Sequence, residues 1–101
     1  MQKLTTRGYA TAEAIGRHEA FDTHGALYAR TDRCGIGSGR LNRAEAAQFW
    51  TDHPDIVYVV ASYATPIAWV VRGGRVHIVD QKFSVTTTRH QGNLYLLAAQ
   101  A

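Results

Sequence analysis

Three consecutive runs rich in apolar residues occupy the second half of the chain. They are IVYVVASY (56–63), PIAWVVR (66–72) and RVHIVDQ (75–81). β-Branched and aromatic residues dominate these runs, which is typical of strands. The glycine pair at 73–74 tolerates the positive φ angles of a tight turn, so the second and third runs are predicted to form a hairpin with Val71 opposite Val76. Trp69 then lies opposite Ile78.

The predicted sheet is apolar on both of its faces. If the residues before Pro66 turn the first run onto the second, one face carries Tyr58, Val60, Ile67, Trp69, Val71, Val76 and Ile78. The other face carries Val57, Val59, Ala61, Tyr63, Ala68, Val70, His77 and Val79. Because extended apolar surface is rarely left in water, we expect helices of this chain or another subunit to cover both faces.

The segment 41–55 gives the clearest helical pattern. Asn42 is a suitable N-cap, and Glu45 stands three residues later as its capping-box partner. Pro54 disfavours helical geometry at the residue before it and so ends the helix. The predicted apolar face consists of Ala46, Phe49 and Trp50.

Three further elements complete the predicted fold. Residues 11–20 indicate a helix with Thr11 as N-cap, and residues 24–32 indicate a short strand. Residues 93–101 indicate a C-terminal helix that directs Leu94, Leu97 and Ala98 to the sheet, and its start, near Thr88 or after Gly92, stays open. The sequence therefore predicts a single α+β domain over residues 1–101. It has an antiparallel sheet of three or more strands within residues 56–83, packed by two or three helices.

Composition places the chain among globular proteins. With 101 residues, 46% hydrophobic and 19% charged, it can bury a core without disulfides or metals. The single cysteine, Cys34, cannot form an intramolecular disulfide, which favours a reducing compartment. No stretch has the apolar character of a secretory signal or a membrane helix, so we expect a cytoplasmic protein without a membrane partner.

The net charge of +3 is unevenly distributed. Residues 1–71 are neutral overall, whereas the last thirty residues contain four basic side chains and one acid, Asp80. The four are Arg72, Arg75, Lys82 and Arg89. This distribution favours an anionic partner at the C-terminal third. A plain solubility charge is the alternative.

Small hydroxyl side chains and two basic ones are concentrated in SVTTTRHQG (84–92). If a helix begins near Thr88, with Gln91 as its capping-box partner, its free N–H groups converge with Arg89 and His90. Thr86 and Thr87 lie just upstream. Such an arrangement suits a phosphate or carboxylate, and the alternative is that Thr88 only caps the helix.

No motif indicates a cofactor or a metal. GIGSGRLN (35–42) has the spacing G-x-G-x-G rather than that of a dinucleotide loop, and it reads as a flexible connection. The five histidines show no zinc-ligand spacing. Ser84 or Thr87 with His90 supplies the residue types of a nucleophile and base, but no catalytic signature accompanies them, so enzymatic activity stays undecided.

Two segments, SYATPIAW (62–69) and FSVTTTRHQ (83–91), resemble a family of small uncharacterised proteins from phages of actinobacteria. Weaker similarity extends from about Phe21 through HGAL and GSGRL to Gln91. The resemblance implies a phage or prophage origin and a setting in the host-cell cytoplasm. It implies no activity, and no residue is assigned a role from it.

Three functions fit these observations. The first is a phage-type binding module for an anionic ligand, above all nucleic-acid phosphate. The second is an inhibitor of a host protein through an apolar sheet face, with a homodimer as a further use of that face. The third is a small phosphate-ester hydrolase. The predicted anion-binding residues are Arg72, Arg75, Lys82, Thr86, Thr87, Thr88, Arg89 and His90.

Overall fold

The computed structural model describes residues 2–32 and 35–101, so the prediction made for Cys34 lies outside the described residues. The helices are α1 (Tyr9–Gly16), α2 (Arg43–Asp52), α3 (Val85–Gln91) and α4 (Tyr95–Ala98), and a 3-10 turn covers His53–Asp55. The strands are β1 (Lys3–Leu4), β2 (Asp22–Thr23), β3 (Leu27–Arg30), β4 (Ile56–Ser62), β5 (Thr65–Val71) and β6 (Val76–Ile78). The predicted α+β class is confirmed.

A four-stranded antiparallel sheet in the order β3-β4-β5-β6 forms the centre of the fold. The sheet therefore includes the short strand predicted within residues 24–32. β1 and β2 form a separate parallel pair, and an isolated bridge between Phe21 and Ala29 connects that region to the edge strand β3. Within the described residues, no helix is long and apolar enough to span a membrane.

The predicted register of the β5–β6 hairpin is wrong by one residue. Val76 pairs with Val70, and Trp69 pairs with His77 rather than with Ile78. The N–H of Gly74 donates to the carbonyl of Val71, while the N–H of Val71 donates to the carbonyl of Arg75. The turn thus holds one residue more than a two-glycine turn does, as in a glycine bulge.

The pairing registers change which residues share a face of the sheet. The β5–β6 shift places Val76 on the face of Val70 rather than on that of Trp69. The β4–β5 pairing, which has an irregularity between Val60 and Ala61, places Trp69 opposite Val59, so Trp69 and Val71 lie with Val59 and not with Tyr58 and Val60 as predicted. Sequence alternation alone does not reveal such irregularities, because the residues on both faces are apolar.

Helices of the chain itself cover both faces of the sheet. On the first face, α1 and α4 supply Ala14, Ile15, Leu94 and Leu97 to a cluster around Tyr58. On the second face, Phe49 of α2 packs in a cluster with Ile56, Val59, Trp69, Val71 and Val79. The apolar sheet face on which the host-protein and homodimer hypotheses depended is therefore buried inside the chain.

The helix α2 begins where it was predicted, but it buries a different face. Asn42 Oδ1 accepts a hydrogen bond of 2.8 Å from the N–H of Glu45, as expected for the N-cap. The Glu45 carboxylate does not complete a capping box, since it contacts Nε2 of His77, in strand β6, at 2.7 Å. Trp50, predicted to be buried, is 51% exposed, and the carboxylates of Glu45 and Asp52 take the inner positions beside Phe49.

The start of α1 and one buried position of α4 differ from prediction. α1 begins at Tyr9 with Gly8 as N-cap, and Thr11 lies inside the helix, where its hydroxyl donates to the carbonyl of Thr5. Leu94, the N-cap of α4, and Leu97 within it are buried as predicted, whereas Ala98 is exposed. Both chain ends nevertheless pack on the same face of the sheet, where α1 and α4 are also in contact with each other.

A buried polar contact connects α2 to the sheet. Asp52 Oδ2 accepts a hydrogen bond of 2.9 Å from Trp69 Nε1, and Asp52 Oδ1 lies 2.5 Å from a guanidinium nitrogen of Arg75. Burial by itself raises the pKa of this carboxyl group, but the hydrogen bonds from Arg75, Trp69 and Gln48 outweigh it. The net effect is that the pKa of Asp52 is lowered.

We expect Asp52→Asn to lower the free energy of unfolding at neutral pH by about 1–3 kcal/mol, since it removes a charged hydrogen-bond partner. A carboxyl group with a lowered folded-state pKa stabilises the fold above its unfolded pKa of about 3.9, and that contribution is lost as the pH falls. In chemical denaturation, the difference in the free energy of unfolding between the wild-type protein and the variant should therefore become smaller below about pH 5. Asp55→Asn, at an exposed position, is the control. A pH-independent difference would contradict this prediction.

Gly39 holds the loop before α2 against the β4–β5 turn. Its φ is +52°, and an added Cβ would lie 2.5 Å from both the carbonyl oxygen of Ala64 and the hydroxyl of Thr65. The next N–H along the chain, that of Arg40, donates to the same hydroxyl at 2.9 Å. The close approach of the two backbones therefore requires glycine at this position.

Gly39→Ala is expected to lower the melting temperature, since the left-handed backbone alone costs about 1–2 kcal/mol and the steric overlap adds to it. For a chain of this size, each kcal/mol corresponds to about 4–8 °C. Gly37→Ala is the matched control, because a Cβ there meets nothing within 4 Å. Equal melting temperatures for the two variants in thermal unfolding would refute the role of the close approach.

Candidate anion-binding site

Two helices occupy the region of the predicted C-terminal helix: α4 begins after Gly92, which was one of the two predicted starts, whereas α3 begins earlier than Thr88, the other one. Ser84 is its N-cap, and the hydroxyl accepts a hydrogen bond from the N–H of Thr87 at 3.4 Å. Thr88 lies inside the helix, so the predicted capping box with Gln91 is wrong. This start is preferred because it turns Thr87 and His90 inward. Arg89 and His90 therefore occupy the last turn and do not converge with the free N–H groups of the first turn.

His90 is buried against the end of β4. Its Nδ1 lies 2.6 Å from Ser62 Oγ, which in turn lies 3.1 Å from Thr87 Oγ1. The three side chains are almost fully buried, with His90 only 3% exposed. Burial lowers the pKa of His90, because desolvation disfavours the imidazolium ion. At neutral pH, His90 is therefore a neutral hydrogen-bonding group rather than the cation that the sequence analysis expected.

A cleft of about 340 Å³ lies at this end of the molecule. It is lined by Thr6, Arg7, Thr86, Arg89 and His90. Arg7 and Arg89 come from opposite ends of the chain and are both exposed. Among the described residues, no carboxylate lines the cleft or lies within ion-pair distance of either arginine. The cleft therefore combines two unneutralised guanidinium groups with hydroxyl groups.

Asn93 fixes the loop of Arg7 beside α3. Its side-chain Nδ2 donates to the carbonyl of Thr6 at 2.8 Å and to the carbonyl of His90 at 3.1 Å. Gly8 follows with a φ of +127°, a backbone conformation that L side chains rarely adopt. Because Asn93 is itself only 3% exposed, the connection between the two ends of the chain is well protected from water.

The predicted anion-binding residues divide into separate groups. Thr86, Arg89 and His90 line the cleft, whereas Thr87 is buried and Thr88 is exposed without lining it. Arg72 and Arg75 lie at the β5–β6 turn, beside the start of β4. Ser62 and His90 are at the other end of this seven-residue strand, about 20 Å away at 3.3 Å per residue.

The remaining predicted cations are placed differently from Arg89. Arg75 is already paired with Asp52. Lys82 is exposed in the segment between β6 and α3 and does not line the cleft. The charge excess of the last thirty residues therefore does not form one surface, because the residues that carry it lie at different ends of the sheet.

Arg7 is the main residue that the sequence analysis missed. Counting charges by segment assigned it to the neutral part of the chain, although folding places it beside Arg89. No local pattern in the sequence indicated this, and the same holds for the interaction of Asn93 with Thr6. Both depend on the packing of the two chain ends on one face of the sheet.

The contact between Ser62 and His90 brings together the residue types of a nucleophile and a base. Ser62 lines a second cleft, of about 440 Å³, with Arg40, Thr65 and other residues. The serine is only 1% exposed, and within residues 2–32 and 35–101 no carboxylate is hydrogen-bonded to His90 to orient it. The arrangement satisfies two buried polar groups, and it lacks the third group that a catalytic triad uses.

Among residues 2–32 and 35–101, no three histidine, cysteine or acidic side chains lie close enough together to hold a metal ion.

Fold and cleft together define a small α+β protein with an arginine-lined cleft at the junction of its chain ends, and no carboxylate of the described residues lines that cleft. A family model described as a family of unknown function (DUF8033) matches residues 5–100, and the chain belongs to this family. Searches of the curated proteins and of the solved structures found no significant match. The match covers nearly the whole sequence, including both arginines of the cleft.

The buried state of His90 predicts a pH-dependent stability. A histidine with a lowered folded-state pKa favours the folded state above its unfolded pKa of about 6.5, and this contribution is lost at lower pH. When the pH is lowered from about 7.5 to about 5.5, the free energy of unfolding, measured by urea denaturation, should therefore fall less for His90→Gln than for the wild-type protein. His24→Gln, at an exposed position, should behave as wild type. If all three proteins lose the same stability, His90 is not the group responsible.

Proposed function

We propose that this protein is a binding module for an anionic ligand, namely nucleic-acid phosphate, and that the binding site is the cleft of Arg7 and Arg89. The observation that supports it is the convergence of two exposed guanidinium groups on a cleft without a carboxylate among the described residues. Guanidinium groups left unpaired by the protein are available to an external anion. The other residues with a polar side chain at the cleft are Thr6, Thr86 and His90.

The chemistry of these groups suits a phosphate ligand. A guanidinium group presents several N–H donors in one plane and binds phosphate oxygens through two parallel hydrogen bonds. The hydroxyl group of Thr86 adds a neutral donor. Because both arginines are exposed, a ligand need not enter the core, and a repeating phosphate backbone can pass along the surface.

We further propose that the protein acts in the cytoplasm of a host bacterium and derives from a phage or prophage. The support is the resemblance of SYATPIAW and FSVTTTRHQ to proteins of actinobacterial phages. A nucleic-acid ligand is consistent with that setting, because phage and host nucleic acids are both present there.

Arg7→Gln/Arg89→Gln is expected to weaken binding of short DNA strands and to reduce its salt dependence. Each phosphate contact contributes about 0.7–0.9 to the slope of log K against log salt, so losing two contacts should reduce the slope by about 1.5. The measurement is a fluorescence-anisotropy titration across a salt series.

Arg72→Gln/Lys82→Gln is the matched control, since it removes the same charge from exposed positions outside the cleft. This control variant should retain most of the wild-type affinity for DNA and most of the slope of log K against log salt. If both double variants lose affinity equally, overall charge rather than the cleft is responsible. If the wild-type protein does not bind DNA or RNA at low salt, the proposed function is wrong.

A further inference from the structure

A shallow groove of about 380 Å³ continues from the cleft and has two exposed tyrosines. It is lined by Arg7, Gly8, Tyr9, Arg89, Gly92, Asn93 and Tyr95. The two arginines line both the groove and the cleft. Tyr9 is 65% exposed and Tyr95 is 54% exposed, so most of each side chain is in contact with water. Two aromatic side chains and two guanidinium groups therefore share one surface.

The helices that carry these tyrosines are packed against each other. Tyr9 is the first residue of α1, and Tyr95 is the first residue of α4. A side-chain nitrogen of Gln100 donates to the carbonyl of Gly16 at 2.6 Å, and the same side chain contacts His18 Nε2 at 2.8 Å. Both aromatic residues thus begin helices whose relative position is fixed, which limits the entropy lost when a ligand binds between them.

Exposed aromatic residues beside arginines are the combination that binds unpaired nucleotides. Each base presents an aromatic surface that stacks on tyrosine, while the sugar-phosphate backbone contacts the basic groups. In a duplex, stacking and pairing with other bases occupy those surfaces, so a duplex would interact here through phosphates alone.

We propose that this groove binds single-stranded nucleic acid, with bases stacked on Tyr9 and Tyr95 and phosphates contacting Arg7 and Arg89. This inference rests on the proposed phosphate-binding function and adds the class of ligand. It also assigns a role to the two tyrosines, which neither the charge distribution nor the polar motif at residues 84–92 indicated.

The test compares two strands that have the same phosphates and differ in their bases. One is a strand of about 12 thymidine nucleotides, within the usual footprint of such sites, and the other is an abasic strand of the same length. The wild-type protein should bind the thymidine strand more tightly. In Tyr9→Leu/Tyr95→Leu, affinity for the thymidine strand should fall about fivefold to a hundredfold for each base that loses its stacking partner. Affinity for the abasic strand should not change.

Two further variants control for other effects of the substitution. Tyr63→Leu replaces a tyrosine that is 59% exposed and does not line the groove, so it should bind both strands as wild type does. Tyr9→Phe/Tyr95→Phe retains both aromatic rings and should keep most of the preference for the thymidine strand. Thermal unfolding of each variant shows whether the fold is retained.

The outcomes separate this inference from the proposed function. Equal binding of the two strands by the wild type would overturn the stacking inference and leave phosphate binding in place. An unchanged affinity of Tyr9→Leu/Tyr95→Leu for the thymidine strand would also overturn it. If the wild-type protein binds neither of the two strands nor duplex DNA, the proposed function itself is overturned.

Discussion

The two apolar faces of the central β4–β5 pair are the constraint on which the rest of the structure depends. A strand pair that is apolar on both faces is stable in water only if each face is covered. The chain meets this requirement with α2 on one face and with α1 and α4 on the other. Because α1 is near the beginning of the sequence and α4 near its end, covering the second face brings the two ends together.

The candidate site is a consequence of that meeting of chain ends. Arg7 precedes α1 and Arg89 lies in α3, just before α4, so packing these helices on one face places both arginines at one cleft. Asn93 then bonds the two segments to each other. Tyr9 and Tyr95 occupy the first positions of the packed helices and extend the surface. A site made in this way does not depend on a single sequence motif.

Burial and the available hydrogen-bond partners together decide the charge of the polar groups near the core. Asp52 keeps its charge because Trp69 and Arg75 donate hydrogen bonds to it, whereas His90 contacts the neutral hydroxyl of Ser62 and its pKa is lowered. Among the described residues, no buried side-chain nitrogen or oxygen lacks a hydrogen-bond partner. Asp52 anchors α2 to the sheet, and His90 anchors α3 to the end of β4.

The sequence by itself determined the α+β class, the strands β4 to β6 and the N-cap of α2 at Asn42, because alternation, β-branched residues and capping residues act locally. It also indicated that both sheet faces had to be covered. Only the tertiary structure decided the register at Val76, since one additional turn residue shifts all later pairs. Tertiary packing also decided that Arg7 joins Arg89 while Arg72 lies at the other end of the sheet. Contacts between distant segments depend on how the helices cover the sheet, and no local pattern in the chain records that.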